Sequence, residues 1–216
     1  MLNKSRVYSL NDRLNLQKNS IISEDMMLGD KVKIKGYGIS EGEGISLEKI
    51  FHPVLLYIVD GRIDFTIEDK KSEMIKGNSV LIPSGEWRGI DAIEDSKILI
   101  INMEEDIMIK NMDKSKILEL VDEVEYSEDK IVSKTLVQND ALSMTLMAFD
   151  GKQELSTHAA GGDALVIALD GEVLINIDGE EFDIKKDESI IMPANIPHSL
   201  HINDKFKMLL IVSKKA

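Results

Sequence analysis

Four histidines and no cysteine limit the chemistry that this 216-residue chain can carry. A thiolate zinc site, a cysteine nucleophile and a disulfide framework are excluded together, so any bound metal would rely on nitrogen and oxygen donors. His158 and His198 stand about 40 residues apart, which lets two imidazoles meet when their segments are neighbouring antiparallel strands. Completed by water, or by a carboxylate such as Glu154 or Asp163, the pair describes an open Zn, Fe, Mn or Ni position. The same residues also describe the polar end of an otherwise apolar ligand pocket. A third reading leaves both rings satisfied by hydrogen bonds or water in a polar mouth, with no ligand at all. Glu154 has the favourable parity, since 154, 156 and 158 share one strand face, whereas Asp163 lies in a Gly-rich turn and would reach in from the rim. His201 follows His198 at an odd spacing and is expected on the opposite face, towards solvent. No Gly-rich phosphate loop, serine nucleophile elbow or zinc-protease helix motif occurs.

Composition narrows the partners. With 43% hydrophobic residues the chain can build a packed core, and a net charge of −13 argues against a broad phosphate-binding face. No nucleic-acid partner and no membrane partner are expected. Residues 1–9 contain no apolar h-region, and no window approaches 18 consecutive apolar residues, so a cytoplasmic location is the expectation.

The elements that would position the histidines come in two sets. Residue n set against residue n+110 aligns the chain with itself without a gap. Asp60-Gly61 falls on Asp170-Gly171, Ser79 on Ser189, Pro83 on Pro193, and Lys97, Leu99 and Ile101 on Lys207, Leu209 and Ile211. About 18 identities occur in roughly 106 pairs, where unrelated sequence gives about 6. Two copies of one domain are expected, over 1–106 and 111–216. Each should open with a short helical segment, clearest where Ile117, Leu118, Leu120, Val121 and Val124 form a stripe at helical spacing. The remainder reads as strands. In the second copy these are 142–149, 153–158, 164–169, 173–177, 182–184, 189–192 and 206–212; in the first, 31–39, 54–59, 62–67, 80–82 and 97–103. Asp170-Gly171 and Asp178-Gly179 are expected turns, and Pro83 and Pro193 expected strand ends. The fold class is all-β, an antiparallel jelly roll in tandem. The methionines, among them Met144, Met147 and Met192, are expected as core filling.

His158-Ala-Ala-Gly-Gly-Asp163, Leu169-Asp-Gly-Glu172 and Asp187-Glu-Ser-Ile-Ile-Met-Pro-Ala-Asn-Ile-Pro-His198 resemble the two motifs of the cupin superfamily. Through the 110-residue offset the resemblance extends over both halves and is similar to a bicupin, implying two RmlC-like jelly-roll barrels from an internal duplication. The resemblance implies a metal held by two His and one Glu of the first motif and one His of the second. His158 and His198 occupy the first and last of these positions. The second His position falls on Ala160 and the Glu position on Ala164, so half the set is absent. In the first copy Glu48 stands opposite His158 and Arg88 opposite His198. A guanidinium has no lone pair to give a metal, and an Arg88–Glu48 ion pair inside that barrel is expected instead, as a structural contact or an anchor for a charged ligand. His52 has no motif counterpart, and Trp87, beside Arg88, is expected at a rim. The expectations that follow are a protein binding a small molecule in the C-terminal barrel, a metal-dependent oxygenase, isomerase or decarboxylase using His158 and His198, or a non-catalytic assembly protein. A homodimer through strand edges suits the family.

Overall fold

Short alternating segments punctuated by Gly, Asp and Pro become strands throughout the computed structural model, which describes residues 1–29, 31–103, 108–140 and 142–214. The expected domain end at 106 lies outside the described residues. The N-terminal half runs β1 (Tyr8–Ser9), α1 (Leu10–Arg13), β2 (Ile21–Leu28), β3 (Val32–Ile39), β4 (Gly44–Lys49), β5 (Val54–Asp60), β6 (Arg62–Ile67), β7 (Lys70–Ile75), β8 (Asn78–Ile82), β9 (Trp87–Ala92) and β10 (Ser96–Met103). The C-terminal half runs β11 (Met108–Ile109), β12 (Ile117–Glu119), a 3-10 turn (Leu120–Asp122), β13 (Ile131–Gln138), β14 (Leu142–Asp150), β15 (Gln153–His158), β16 (Gly162–Ile177), β17 (Glu180–Lys185), β18 (Glu188–Met192), β19 (His198–Ile202) and β20 (Lys205–Lys214).

Two expectations are corrected. The stripe from Ile117 to Val124 is a three-residue strand followed by a 3-10 turn rather than an α-helix. Ile117 and Leu118 are drawn into pairing with β8, at Ile117↔Val80 and Leu118↔Ser79, so tertiary ladder bonds override the helical period. In the N-terminal half the helical piece is a single turn, Leu10–Arg13, capped by the Ser9 side chain accepting from the Asp12 N–H. Asp170-Gly171 is likewise not a turn. It is a kink inside the 16-residue β16, with Gly171 at φ 72° and a bulge between Ala168 and Asp170. A Cβ at Gly171 would stand 1.8 Å from the Lys205 carbonyl oxygen, so only glycine fits. Asp178 and Gly179, both at positive φ, do form a two-residue turn with the mirror-image geometry that suits a hairpin.

The strands pair into three sheets. β12-β8-β5-β10-β3-β2 and β4-β9-β6-β7 make a six-stranded and a four-stranded sheet, all of whose strands except β12 come from the N-terminal half. The unbroken β16 joins the corresponding pair of the C-terminal half, with β1 added at one edge, into one ten-stranded sheet. Among the described residues these sheets form no closed ladder.

Three apolar cores lie between them. Val54, Leu56 and Ile58 of β5 face a cluster with Ile63, Phe65 and Ile98, whose buried members all come from the N-terminal half, with Ile117 of β12 packed against it. Ala164, Val166 and Ala168 of β16 face the matching cluster with Phe149, Phe206 and Leu200. The other faces of the same strands, Leu55, Tyr57 and Val59 against Leu165, Ile167 and Leu169, belong to a third cluster shared by both halves. Alternation therefore buries both faces of β5 and β16, which explains their continuous apolar runs. Each half also lends a strand to the other. β1 pairs with β18 at Tyr8↔Ser189, and β12 pairs with β8 at Leu118↔Ser79. Ser189 Oγ donates to the Tyr8 carbonyl at 3.4 Å, and Ser79 Oγ donates to the Leu118 carbonyl at 3.3 Å. Met144 and Met192 are buried in these cores, and Met147 packs against one of them.

Candidate functional site

β15 and β19 are antiparallel neighbours, and their register decides which side chains meet. Glu154 stands opposite His201 and Leu155 opposite Leu200, after which the register shifts and His158 stands opposite His198. The bulge inserts one extra residue into β15, so the parity argument that grouped Glu154 with His158 fails. Opposed residues share a face, and His198 and His201 lie on opposite faces of β19. Glu154 accordingly goes with His201, its Oε2 3.7 Å from His201 Nδ1 on the outer surface.

The inward face of β19 carries His198, Leu200 and Ile202, all buried. His198 is 2% exposed while His158 is open to solvent, and the two ring centroids lie 4.5 Å apart at 64°. The pair thus bridges the apolar interior and the surface. Each ring is fixed locally: His158 Nδ1 donates to the Ser156 carbonyl at 2.8 Å, and His198 Nδ1 donates to the Ile196 carbonyl at 2.9 Å. The second bond comes from the Pro193–Pro197 loop, which delivers the chain into β19 and is itself tied by the Asn195 N–H to the Ala160 carbonyl. Burial lowers the His198 pKa below the usual imidazole value; the Ile196 carbonyl opposes this shift and His158 adds to it. A neutral ring donating from Nδ1 keeps its lone pair on Nε2, so His198 presents an acceptor beside His158.

Neither carboxylate joins them. Asp163 Oδ1 accepts from Lys4 Nζ at 2.7 Å and from the Ala194 N–H at 2.9 Å, fastening the N-terminal segment to the loop before His198. Ala164 is buried in the C-terminal core and offers a methyl group where a carboxylate would be needed. Among the described residues no three His, Asp or Glu side chains form a group able to hold a metal ion. Two imidazoles alone do not fit a stable divalent centre.

The N-terminal half has the same register at the same place. Glu48 stands opposite Arg88 on β4 and β9, after a bulge between Ile45 and Glu48. Arg88 Nη2 donates to Glu48 Oε1 at 2.7 Å, with the arginine buried and the glutamate half in solvent. His52 lines a cavity of about 290 Å³ together with Arg88, Lys33, Ile50, Phe51 and Val54. Beyond the rarity of histidine no signal marks that role, because His52 matches no motif position. Trp87 starts β9 at 43% exposure, opposite Lys49 on the rim.

A chain similar over its whole length comes from Leptotrichia buccalis. That solved structure, a Cupin 2 conserved barrel domain protein, is 31% identical, covers 99% of this chain and 98% of its own, and superposes with a TM-score of 0.89. The chain belongs to the cupin family. The family model described as "Cupin domain" matches residues 145–213. A conserved protein of unknown function from Streptococcus pyogenes is 38% identical over 52% of this cupin and 99% of its own chain, with a TM-score of 0.50. Salicylate 1,2-dioxygenase from Pseudaminobacter salicylatoxidans, at 11% identity over 86% of this chain and 72% of its own (TM-score 0.65), shares the fold alone. No functionally curated protein matches the sequence at a significant level.

Proposed function

We propose that this cupin is a bicupin, two jelly-roll barrels copied from one, which binds a small molecule at His158 and His198 in the C-terminal copy. The duplication reading is supported by the 110-residue offset reappearing in the ladders: β1 on β18 mirrors β12 on β8, and His158 opposite His198 mirrors Glu48 opposite Arg88. The binding reading rests on one observation. His198 is buried, its pKa is lowered by that burial, and it is paired edge-on with an exposed His158 at the border of an apolar core. A ligand with an apolar body and a hydroxyl or N–H group would donate to His198 Nε2 and be met at the opening by His158.

The metal-enzyme reading is less well supported by the donor set, because the first-motif His and Glu positions carry Ala160 and Ala164. Elemental analysis of purified full-length protein, with thermal shifts in Mn, Fe, Ni and Zn, separates the two. Binding without metal predicts no stoichiometric ion and no shift that depends on His158 and His198. An ion at one per chain, lost in His158→Ala and His198→Ala, would replace this reading with a metal-dependent one.

A further inference from the structure

We propose that the N-terminal half carries a second, separate site, in which Arg88 binds a small organic carboxylate that takes the place of Glu48. Arg88 is 5% exposed, yet only its Nη2 has a partner; Nε and Nη1 are buried with no hydrogen-bond partner among the described residues. A guanidinium offers five N–H donors in a planar fork matched to two carboxylate oxygens. One contact from one Glu48 oxygen leaves most of that fork unused, and buried donors left unpaired are costly.

Three further features fit a ligand better than a permanent internal pair. The Glu48 side chain is 51% exposed, so it can return to water with little loss, whereas the Arg88 side chain, at 6%, cannot. The cavity beside them, about 290 Å³, is lined by Lys33, Lys49 and Arg88 against Glu48 alone, a positive lining in a chain of net charge −13. Beside the uncharged polar His52 and Asn102, its apolar walls, Ile50, Phe51, Val54 and Met103, suit a short hydrocarbon body, and Phe51 is 76% exposed. Burial lowers the Arg88 pKa while Glu48 and then Tyr37 oppose the shift; the guanidinium stays charged, and a nearby anion offsets the cost of burying it. Glu48 supplies that anion until a ligand carboxylate, able to make two parallel bonds, displaces it.

The test is titration of the full-length chain with hexanoate, with hexanamide and inorganic phosphate as controls, read by calorimetry and hydrogen exchange. Hexanoate should bind, protect the N-terminal half, and outbind both controls. Glu48→Gln removes the competing carboxylate and should tighten hexanoate binding about tenfold, while Arg88→Met should weaken it at least as much. A purely structural ion pair predicts that Glu48→Gln only destabilises the fold, with no gain in affinity. Should Arg88→Met fail to fold, the sign of the Glu48→Gln effect decides. Absence of hexanoate binding in both wild type and Glu48→Gln overturns the proposal, as does hexanamide or phosphate binding as tightly as hexanoate.

Discussion

Leu165 is the residue through which the two halves should feel one another most directly. It is 1% exposed on β16 and belongs to the shared cluster that also holds Leu55, Tyr57 and Ile101 of the N-terminal half. Leu165→Ala removes three carbon atoms from that cluster. At about 0.8 kcal/mol for each buried methylene the transfer loss is about 2.4 kcal/mol. The cavity left in a core bounded by strands on both sides brings the total to about 3–4 kcal/mol. The lone Trp87 sits on β9 in the opposite half and reports there. Urea unfolding followed by Trp87 fluorescence and by far-UV circular dichroism should show one coincident transition in wild type. In Leu165→Ala both signals should move together, by about 1.5–2 M if the urea slope is about 2 kcal/mol per molar. A Trp87 transition left at its wild-type midpoint, with the dichroism splitting in two, would refute the shared core and make the halves independent units.

Two further outcomes follow from the same contacts. Folding holds His198 neutral, so the unfolded chain takes up this proton first as pH falls. The His198 contribution is therefore complete above the unfolded value of about 6.5, declines as pH drops towards the lower folded value, and then levels off. The wild-type minus His198→Gln stability difference should decrease across that window in urea titrations, and a difference independent of pH would be contrary to the neutral-ring assignment. Removing residues 2–9 strips β1 from β18 and Leu2 from the shared core, leaving a sheet edge uncovered. The truncated chain should melt lower and self-associate in size-exclusion chromatography; an unchanged melting temperature and a monomer would contradict the exchanged-strand description.

Much of the architecture was legible because its signals are local. Arg62–Ile67 alternates residue by residue and is a strand with those limits, and Pro83 and Pro193 follow directly on strand ends. The meeting of His158 with His198 was legible from their spacing and motif positions, and that of Glu48 with Arg88 through the offset of 110. What failed depended on contacts distant in sequence. Ile117 and Leu118 have a helical stripe but pair with the other half, and Asp170-Gly171 has turn chemistry but lies where β16 passes from one part of its sheet to another. Glu154 was misplaced by a bulge of one residue, which reverses parity and leaves no compositional trace. Asp163 was drawn away by Lys4, 159 positions earlier.

Native mass spectrometry of the full-length protein, beside the His158→Ala and His198→Ala variants, tests the ligand site most directly. A one-to-one organic adduct on the wild-type chain, reduced or lost in both variants and unaccompanied by a stoichiometric metal, is the predicted result. An adduct carried equally by wild type and both variants would contradict binding at the histidine pair, as would a divalent ion bound one per chain in its place.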